Sequence, residues 1–587
     1  MKKLDETLLD RTVEKNLSIW QQADLDAETQ TELLHLQADP ERLTDAFYRR
    51  LAFGTGGLRG IVGVGSNRMN RYTIAQATQG LANYLKKTIT TMPVSVIIGY
   101  DSRPHSRPFA EQTARVLAGN GIQVFIYSEL RPTPLVSFGC RYKQCAAAVM
   151  ITASHNPPEY NGYKVYWSDG GQVLPPHDQG IITEVNAIEG FGNIREASLD
   201  SPLIVWIDDS IDQAYLKAMD KLQQLPTVNQ DRGGELRVIY SSLHGTGITI
   251  IPALLKRWGF TSCELVEAQC KIDGTFPTVK FPNPEEPAAL ELGTRQLVET
   301  GADLLLATDP DADRVGVVVA HQGTAVRLTG NEVASLCLAH LCSCMEKSKG
   351  NFADWGCVKT IVTTQLFRAI ADQHNLYCCD VLTGFKYIAE VIQRWEESAE
   401  HRFLFGGEES YGYLMGSDVR DKDAGIASAL ICEMALQAKI AGQTLVDQLY
   451  ALYKEYGVYR EALKSLKFPD TKSGHEQMKT ALKNLRANPP TALVGADVLE
   501  IADYSISIRR CLRTGDESQI DLPRSDVLAF KLANGGSVVV RPSGTEPKVK
   551  IYVESIRKAD SPVEETIAVC DAENQRLIKE LSAVLGV

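Results

Sequence analysis

The chain has 587 residues, which at roughly 100–200 residues per domain makes about three to five domains. Its 44% hydrophobic content fills sizeable cores, and 61 Lys and Arg against 73 Asp and Glu leave a net charge of −12, which argues against a general nucleic-acid binder but not against a small anion met by a local basic cluster. No run of about 18 apolar residues predicts a membrane span, "MKKLDETLLDRTVEKNLSIW" lacks the apolar core of a signal peptide, and 13 scattered cysteines without CxxC or zinc-type spacing read as buried thiols of a reducing cytoplasm.

Residues 1–50 place apolar positions at helical spacing and predict short amphipathic helices packed on the first domain. "FGTGGLRGIVGVGSNRMN" (53–70) is glycine-rich and polar and yields to a helix near 73–88. A strand–loop–helix rhythm follows. "VSVIIGYDSR" is a strand with Asp101 and Arg103 at its C-terminal end, "PFAEQTARVLAGNG" a helix stopped by glycine, and "IQVFIYS" a second strand. "AAAVMI" (146–151) is a buried strand that runs into "TASHNPP". This alternation predicts an α/β domain with its functional loops at strand C-termini.

Residues 202–226 read as mostly helical, and the charged, glycine-bearing "NQDRGGEL" (229–236) reads as an inter-domain linker. The rhythm restarts at "RVIYSS" and again at "CVKTIVTT" (357–364), which predicts three related α/β domains. From Leu445 to about Asn488 the chain reads as helical, ended by Pro489 and Pro490. "SVVVRP" and "KVKIYVE" are short strands around a turn, and a long helix comes last, predicting a smaller α+β domain. The expected domains are 1–228, 229–340, 341–460 and 461–587.

Four windows carry chemistry. In "VMITASHNPPEYNGYKVYW" (149–167) two prolines stiffen a loop in which the Ser154 hydroxyl stands beside the His155 imidazole. "LLLATDPDADRVGVVV" sets Asp309, Asp311 and Asp313 between two apolar strands. Three carboxylates aimed at one point repel unless a hard divalent cation, magnesium or calcium, offsets them. No EF-hand spacing is present, and Arg314 adds a fixed positive charge close by. "FLFGGEESYGYL" places Glu408, Glu409 and Ser410 after a strand and a Gly-Gly turn, where they suit sugar hydroxyls, and Lys386 stands at a helix start in "VLTGFKYIAE". In "VVVRPSGTEPKVKIYVE", Arg541, Ser543, Gly544 and Thr545 form an anion-binding turn, with Lys548 as a nearby donor.

"TASHNP", "DPDADR", "GEESYG" and "RPSGTEP", in this order and with "FGTGGLRG" before them, resemble the α-D-phosphohexomutase superfamily over nearly the whole chain, most closely its phosphoglucomutase-2-like branch. The resemblance implies four domains around a central cleft: three similar α/β domains with mixed sheets and a C-terminal TATA-binding-like α+β domain. It implies a phosphoryl group on Ser154, magnesium bound by Asp309, Asp311 and Asp313 with that phosphoserine, and sugar hydroxyls held by Glu408 and Ser410. The non-reacting phosphate then falls to Arg541, Ser543, Gly544 and Thr545. Arg59, His155 and Lys164 match family positions near the transferring group, with Lys164 and His155 as candidate bases.

The implied reaction interconverts glucose 1-phosphate and glucose 6-phosphate through glucose 1,6-bisphosphate, which also serves as activator. Phosphopentomutase, phosphomannomutase and glucose-1,6-bisphosphate synthase are the alternatives. A phosphatase needs no second phosphate anchor, so the turn at Arg541 speaks against one. The expected partner is a small phosphorylated sugar, with no nucleic acid and no membrane, for a cytoplasmic monomer or weak dimer.

Overall fold

The computed structural model describes residues 2–54, 56–90, 93–348, 351–469, 472–543, 548–560 and 562–586. Four sheets define four domains, three α/β and a distinct C-terminal α+β. The chain forms two compact units. The first holds the residues through Leu328 together with Ala389–Phe403 and Tyr411–Lys439, and the second holds Thr329–Ile388, Leu404–Ser410 and the chain from Ile440 onward.

In the first unit a six-stranded sheet runs in the order Gly57–Ile61, Tyr160–Trp167, Ala147–Ile151, Ser95–Tyr100, Gln123–Tyr127, Ile204–Ile207. The last four strands are parallel and the first two add antiparallel. The parallel strands Ser95–Tyr100 and Ala147–Ile151 are buried almost throughout, which is why they read as unbroken apolar runs. A second sheet has the order Thr324–Leu328, Val315–His321, Leu304–Thr308, Val238–Ser241, Cys263–Leu265, with an antiparallel hairpin on a parallel base. Helices Lys2–Gln21, Ala27–Gln37 and Pro40–Phe47 lead the chain. Trp20 closes them onto the first domain, its ring edge-on to Phe47, Tyr72 and Phe191 at 5.8, 5.4 and 5.4 Å.

In the second unit the parallel strands Trp355–Thr360 and Tyr377–Val381 belong to the third sheet. The fourth is antiparallel, led by Val458–Lys467, Lys548–Arg557, Ser537–Pro542, Leu528–Leu532 and Ala496–Asp503. Helix Val563–Val584 packs on its first two strands. Among the described residues no single helix is long and apolar enough to cross a membrane. All thirteen cysteines are free, nine of them buried.

Four sequence readings need correction. The glycine-rich window contains the strand Gly57–Ile61, paired with Tyr160–Trp167. Its Gly57 has φ 137°, and a Cβ there would lie 1.7 Å from the Tyr163 carbonyl oxygen, so glycine is what lets this edge close. The window 202–226 begins with the strand Ile204–Ile207, which pairs with Gln123–Tyr127 at the sheet edge; its half-wet edge position hides it from a burial pattern. The supposed helical run after Leu445 is interrupted by the ten-residue strand Val458–Lys467, whose charged side chains imitate a solvated helix face. Residues 229–236 are not a linker: all but Leu236 lie in helix Pro226–Arg232 and the 3-10 turn Gly233–Glu235.

What pins that last segment is Glu433. It lies in the almost wholly buried helix Ala424–Ile440, and its Oε2 accepts from Gln224 N at 3.1 Å, Leu225 N at 2.9 Å and Asn229 Nδ2 at 2.6 Å. Removing the acceptor leaves three donors unmade, each worth about 1–3 kcal/mol when buried. Glu433→Ala is therefore expected to lower stability by at least about 2 kcal/mol in urea unfolding; an unchanged midpoint would return this segment to a linker.

Candidate active site

Strand Ala147–Ile151 lies between Tyr160–Trp167 and Ser95–Tyr100, and the loop leaving its C-terminal end carries Ser154. Ser154 is buried, at 4% exposure, and has φ 51°. A serine in this left-handed region costs about 1–2 kcal/mol and persists only where its surroundings over-determine it. They do so here. Ser154 N donates to Thr152 Oγ1 at 2.8 Å, and Thr152 Oγ1 donates to Asp101 Oδ2 at 2.7 Å. Arg103 Nη2 donates to the carbonyls of Ser154 and Asn156 at 2.7 and 2.6 Å, and Nη1 to those of Pro157 and Tyr160 at 2.7 and 2.8 Å.

The acidic loop joins strands Leu304–Thr308 and Val315–His321 as the turn of an antiparallel hairpin. Asp309, Asp311 and Asp313 are all buried, and one carboxylate oxygen of each lies within 4.8 Å of the others. Ala312, at φ 49°, turns the loop back on itself. The two loops meet directly: Ser154 Oγ donates to Asp309 Oδ2 at 2.8 Å. Asp309 Oδ1 accepts the backbone N–H groups of Asp313 and Arg314, each at 3.1 Å. Burial, then the charges of Asp311 and Asp313, push the Asp309 carboxyl well above the usual carboxylate range.

Asp311 and Asp313 are held ionised by cations. Lys164 Nζ stands 2.7 Å from Asp311 Oδ2 and 3.3 Å from Asp313 Oδ2, and Lys422 Nζ stands 3.1 Å from Asp313 Oδ2. Thr133 Oγ1 donates to Asp311 Oδ2 at 2.8 Å. Burial raises both carboxyls, but the ammonium groups outweigh it and both end below the ordinary value. Burial lowers Lys164 in turn, yet Asp311 and Asp313 outweigh that and its ammonium is favoured.

The donor set fits a hard divalent cation. Among the described residues, Oδ1 of Asp311 and Oδ1 of Asp313 are buried without a hydrogen-bond partner, and three carboxylates offer only oxygen.

The other expected residues of the first unit lie around this point. His155 Nδ1 is 3.2 Å from Ser154 Oγ, and burial, with Arg314 and Arg59 adding, holds the imidazole well below its usual pKa and therefore neutral. Arg59 lies on strand Gly57–Ile61 opposite Gly162, its Nη1 3.4 Å from Asn156 Oδ1. Arg314 pairs through Nη1 with Glu285 Oε1 at 2.5 Å, while its Nε is 3.7 Å from Asp313 Oδ1.

The second unit holds its own group. Glu408 Oε1 accepts Gly384 N at 2.9 Å, just ahead of helix Phe385–Ser398, whose first turn carries Lys386 with Nζ 5.1 Å from the Tyr387 ring. Thr363 Oγ1 donates to Gly407 O at 3.3 Å, tying the GEES loop to its neighbour. Arg541 lies in strand Ser537–Pro542, paired with Lys550 of Lys548–Arg557, the strand that carries Tyr552. Burial raises the Tyr552 phenol, Glu409 and Glu408 add to the shift, and Arg541 opposes it. Ser543 N donates to Lys548 O at 2.7 Å. Ser410 is half-buried. Gly544 and Thr545 lie outside the described residues.

Sequence reasoning missed Lys422 and Thr133 and gave Arg103 no role. Thr133, at the start of helix Thr133–Tyr142, and Lys422, far down the chain, reach the acidic loop only through the tertiary fold. Arg103 was visible as part of an Asp-x-Arg at a strand end, but nothing in the spacing says that it grips four carbonyls.

The sequence matches four consecutive models of one family: phosphoglucomutase/phosphomannomutase alpha/beta/alpha domain I over residues 50–190, domain II over 213–323, domain III over 329–456 and the C-terminal domain over 496–561. A phosphoglucomutase of Staphylococcus haemolyticus (strain JCSC1435) is 37% identical over 515 residues, covering 86% of this chain and 90% of its own. One of Staphylococcus aureus (strain MRSA252) is 36% identical over 524 residues, covering 88% and 91%. Among solved structures, a phosphoglucomutase/phosphomannomutase family protein of Burkholderia thailandensis has a TM-score of 0.66 at 17% identity, covering 91% of this chain and 98% of its own. The open form of pp63/parafusin from Paramecium has a TM-score of 0.66 at 16% identity, covering 92% and 96%. These two share the fold. Matches to every domain in order, with relatives at this identity and coverage, make the chain a member of the phosphoglucomutase/phosphomannomutase family of the α-D-phosphohexomutase superfamily.

Proposed function

We propose that the chain is a phosphoglucomutase of the phosphoglucomutase-2-like branch, moving a phosphoryl group between O1 and O6 of glucose through Ser154. The observation that carries this reading is the 2.8 Å contact of a strained, buried serine hydroxyl with Asp309 of the acidic loop. The Staphylococcus relatives bear the name phosphoglucomutase, which supports glucose phosphates ahead of pentose or mannose phosphates. Free thiols support a cytoplasmic protein and the net negative charge a small-molecule rather than a nucleic-acid partner, and the proposed state is a monomer or weak dimer.

Ser154 carries a phosphoryl group at the start of the cycle. The O6 hydroxyl of glucose 1-phosphate attacks it, the P–Oγ bond breaks, the P–O6 bond forms, and the hydroxyl proton leaves to a base. The product is glucose 1,6-bisphosphate, which turns end for end. Ser154 Oγ, which took up a proton as it left in the first transfer, then attacks the phosphorus on O1: its proton goes to the base, the P–Oγ bond forms, the P–O1 bond breaks, and O1 takes a proton as glucose 6-phosphate is released.

A serine hydroxyl is a poor nucleophile until a neighbour takes that proton. Neutral His155, 3.2 Å away, is the better placed of the two expected bases, because Lys164 is tied as an ammonium between Asp311 and Asp313. Lys164 and Arg59 then serve as donors to the transferring oxygens. Asp309, Asp311 and Asp313 would hold magnesium. When bound, magnesium neutralises phosphoryl charge and draws electrons from the bridging oxygen. Glu408, Ser410 and Lys386 bind the sugar, and Arg541 with Ser543, Gly544 and Thr545 holds the phosphate that is not reacting.

Ser154→Ala is expected to lower turnover of glucose 1-phosphate by about 10⁴-fold or more with the thermal midpoint unchanged. Full turnover by that variant would sink the reading. Asp311→Asn should reduce magnesium-dependent transfer by about 100-fold or more. Chelation should stop the wild-type enzyme and added Mg²⁺ restore it, so sustained turnover in excess chelator argues against a metal. Arg541→Ala should raise KM by about 10–100-fold and change kcat less, since a charged hydrogen bond to phosphate is lost. A panel of glucose, ribose, deoxyribose and mannose 1-phosphates, compared by kcat/KM, decides the sugar.

A further inference from the structure

Arg103 spends its five side-chain donors on one carboxylate and four backbone carbonyls. Its Nε donates to Asp101 Oδ2 at 3.1 Å, and its four Nη hydrogens go to the carbonyls of Ser154, Asn156, Pro157 and Tyr160. The residue is 3% exposed, and the Phe276 ring covers its guanidinium at 5.0 Å from the centroid. Phe276 is itself buried and at φ 50°, on a segment that fits closely over the arginine backbone: a Cβ on Gly274 would lie 2.5 Å from Arg103 Cα.

That segment is anchored to the acidic loop. Buried His244 bonds through Nδ1 to Lys271 O at 3.0 Å and through Nε2 to Thr278 Oγ1 at 2.8 Å, so both ends of the Phe276 turn hang from one imidazole. Two residues on, Thr246 donates to Pro310 O from its N–H at 2.7 Å and from its hydroxyl at 2.9 Å. A Cβ on the intervening Gly245 would lie 2.3 Å from Pro310 Cα, so the two backbones are in direct contact. One continuous path of contacts therefore runs from the acidic loop at Pro310 through His244 and Phe276 to Arg103 and the serine loop.

We propose that Arg103, clamped beneath Phe276, is the positioning residue that sets the phosphoryl-bearing serine against the acidic loop. Its five side-chain donors are already taken within the protein, so it has none to offer substrate or the reacting atoms. It acts by fixing the four carbonyls that define the Ser154 turn, while Phe276 references that turn to Pro310. A planar five-donor fork is needed: lysine has three donors at tetrahedral angles and cannot span four carbonyls and a carboxylate. The role rests on the phosphoserine reading above.

The test uses the full chain. Wild type, Arg103→Lys and Phe276→Leu are each incubated with glucose 1,6-bisphosphate and Mg²⁺. The ³¹P resonance of the phosphoserine, the thermal midpoint, and kcat and KM for glucose 1-phosphate are then measured. A misplacement of about 1 Å costs about 100-fold in rate, so Arg103→Lys should lose about that much in kcat with KM within a few-fold, and Phe276→Leu about 10-fold. The ³¹P resonance should shift in both. Phe276→Leu keeps all five donor contacts, so it decides the matter if Arg103→Lys does not fold. Unchanged kcat, a loss carried by KM, or a loss equal to the unfolded fraction with an unmoved resonance would overturn the inference alone. Absence of phosphoserine in the wild type would overturn the functional reading and this inference with it.

Discussion

Three carboxylates enclosed within 4.8 Å of one another, away from water, repel strongly, and much of the first unit is arranged to offset that repulsion. Lys164 arrives from the sheet of the first domain, Thr133 from a helix start beside it, and Lys422 from a segment more than a hundred residues downstream. Each neutralises or bonds part of the acidic loop while, among the described residues, an oxygen of Asp311 and of Asp313 is left without a hydrogen bond. A site made fully stable by its own protein would have nothing left to offer a cation. This one is compensated enough to fold and left unsatisfied enough to bind.

The second constraint is backbone geometry. Ser154 and Ala312 both adopt left-handed φ, one in each of the two loops that meet at Asp309. Such conformations need a surrounding structure that leaves the chain no alternative. Buried polar side chains supply it: Asp101 and Thr152 on one side, the carbonyls gripped by Arg103 on the other. The side chains of Asp101, Thr152 and Arg103 are all hydrogen-bonded, which gives rigidity where reaction geometry demands it.

The chemistry-bearing motifs were legible because each is compact in sequence. A serine after an apolar strand, three alternating aspartates in a hairpin turn, and an arginine at a strand end each state their chemistry within a dozen residues. Lys422 and Thr133 were not legible, since a lone lysine among aspartates and a threonine at a helix start are ordinary until the fold brings them to Asp313 and Asp311. The fold errors have a related cause. Strand Val458–Lys467 lies at a sheet edge with charged side chains, so periodicity imitates a helix. The segment 229–236 looked like a linker because its glycines and charges are local, whereas the Glu433 acceptor that holds it is about 200 residues away.

The first unit is not contiguous: Ala389–Phe403 and Tyr411–Lys439 return to it after the chain has left. During synthesis, then, a nascent chain that has emerged only as far as Leu328 lacks both the lysine that balances Asp313 and the glutamate that receives Asn229. Its acidic hairpin already has Lys164 and Arg314, but Asp313 gains its second lysine, Lys422, only after most of the message has been translated. A fragment cut at the apparent end of the second sheet therefore lacks two of the segments that complete this half.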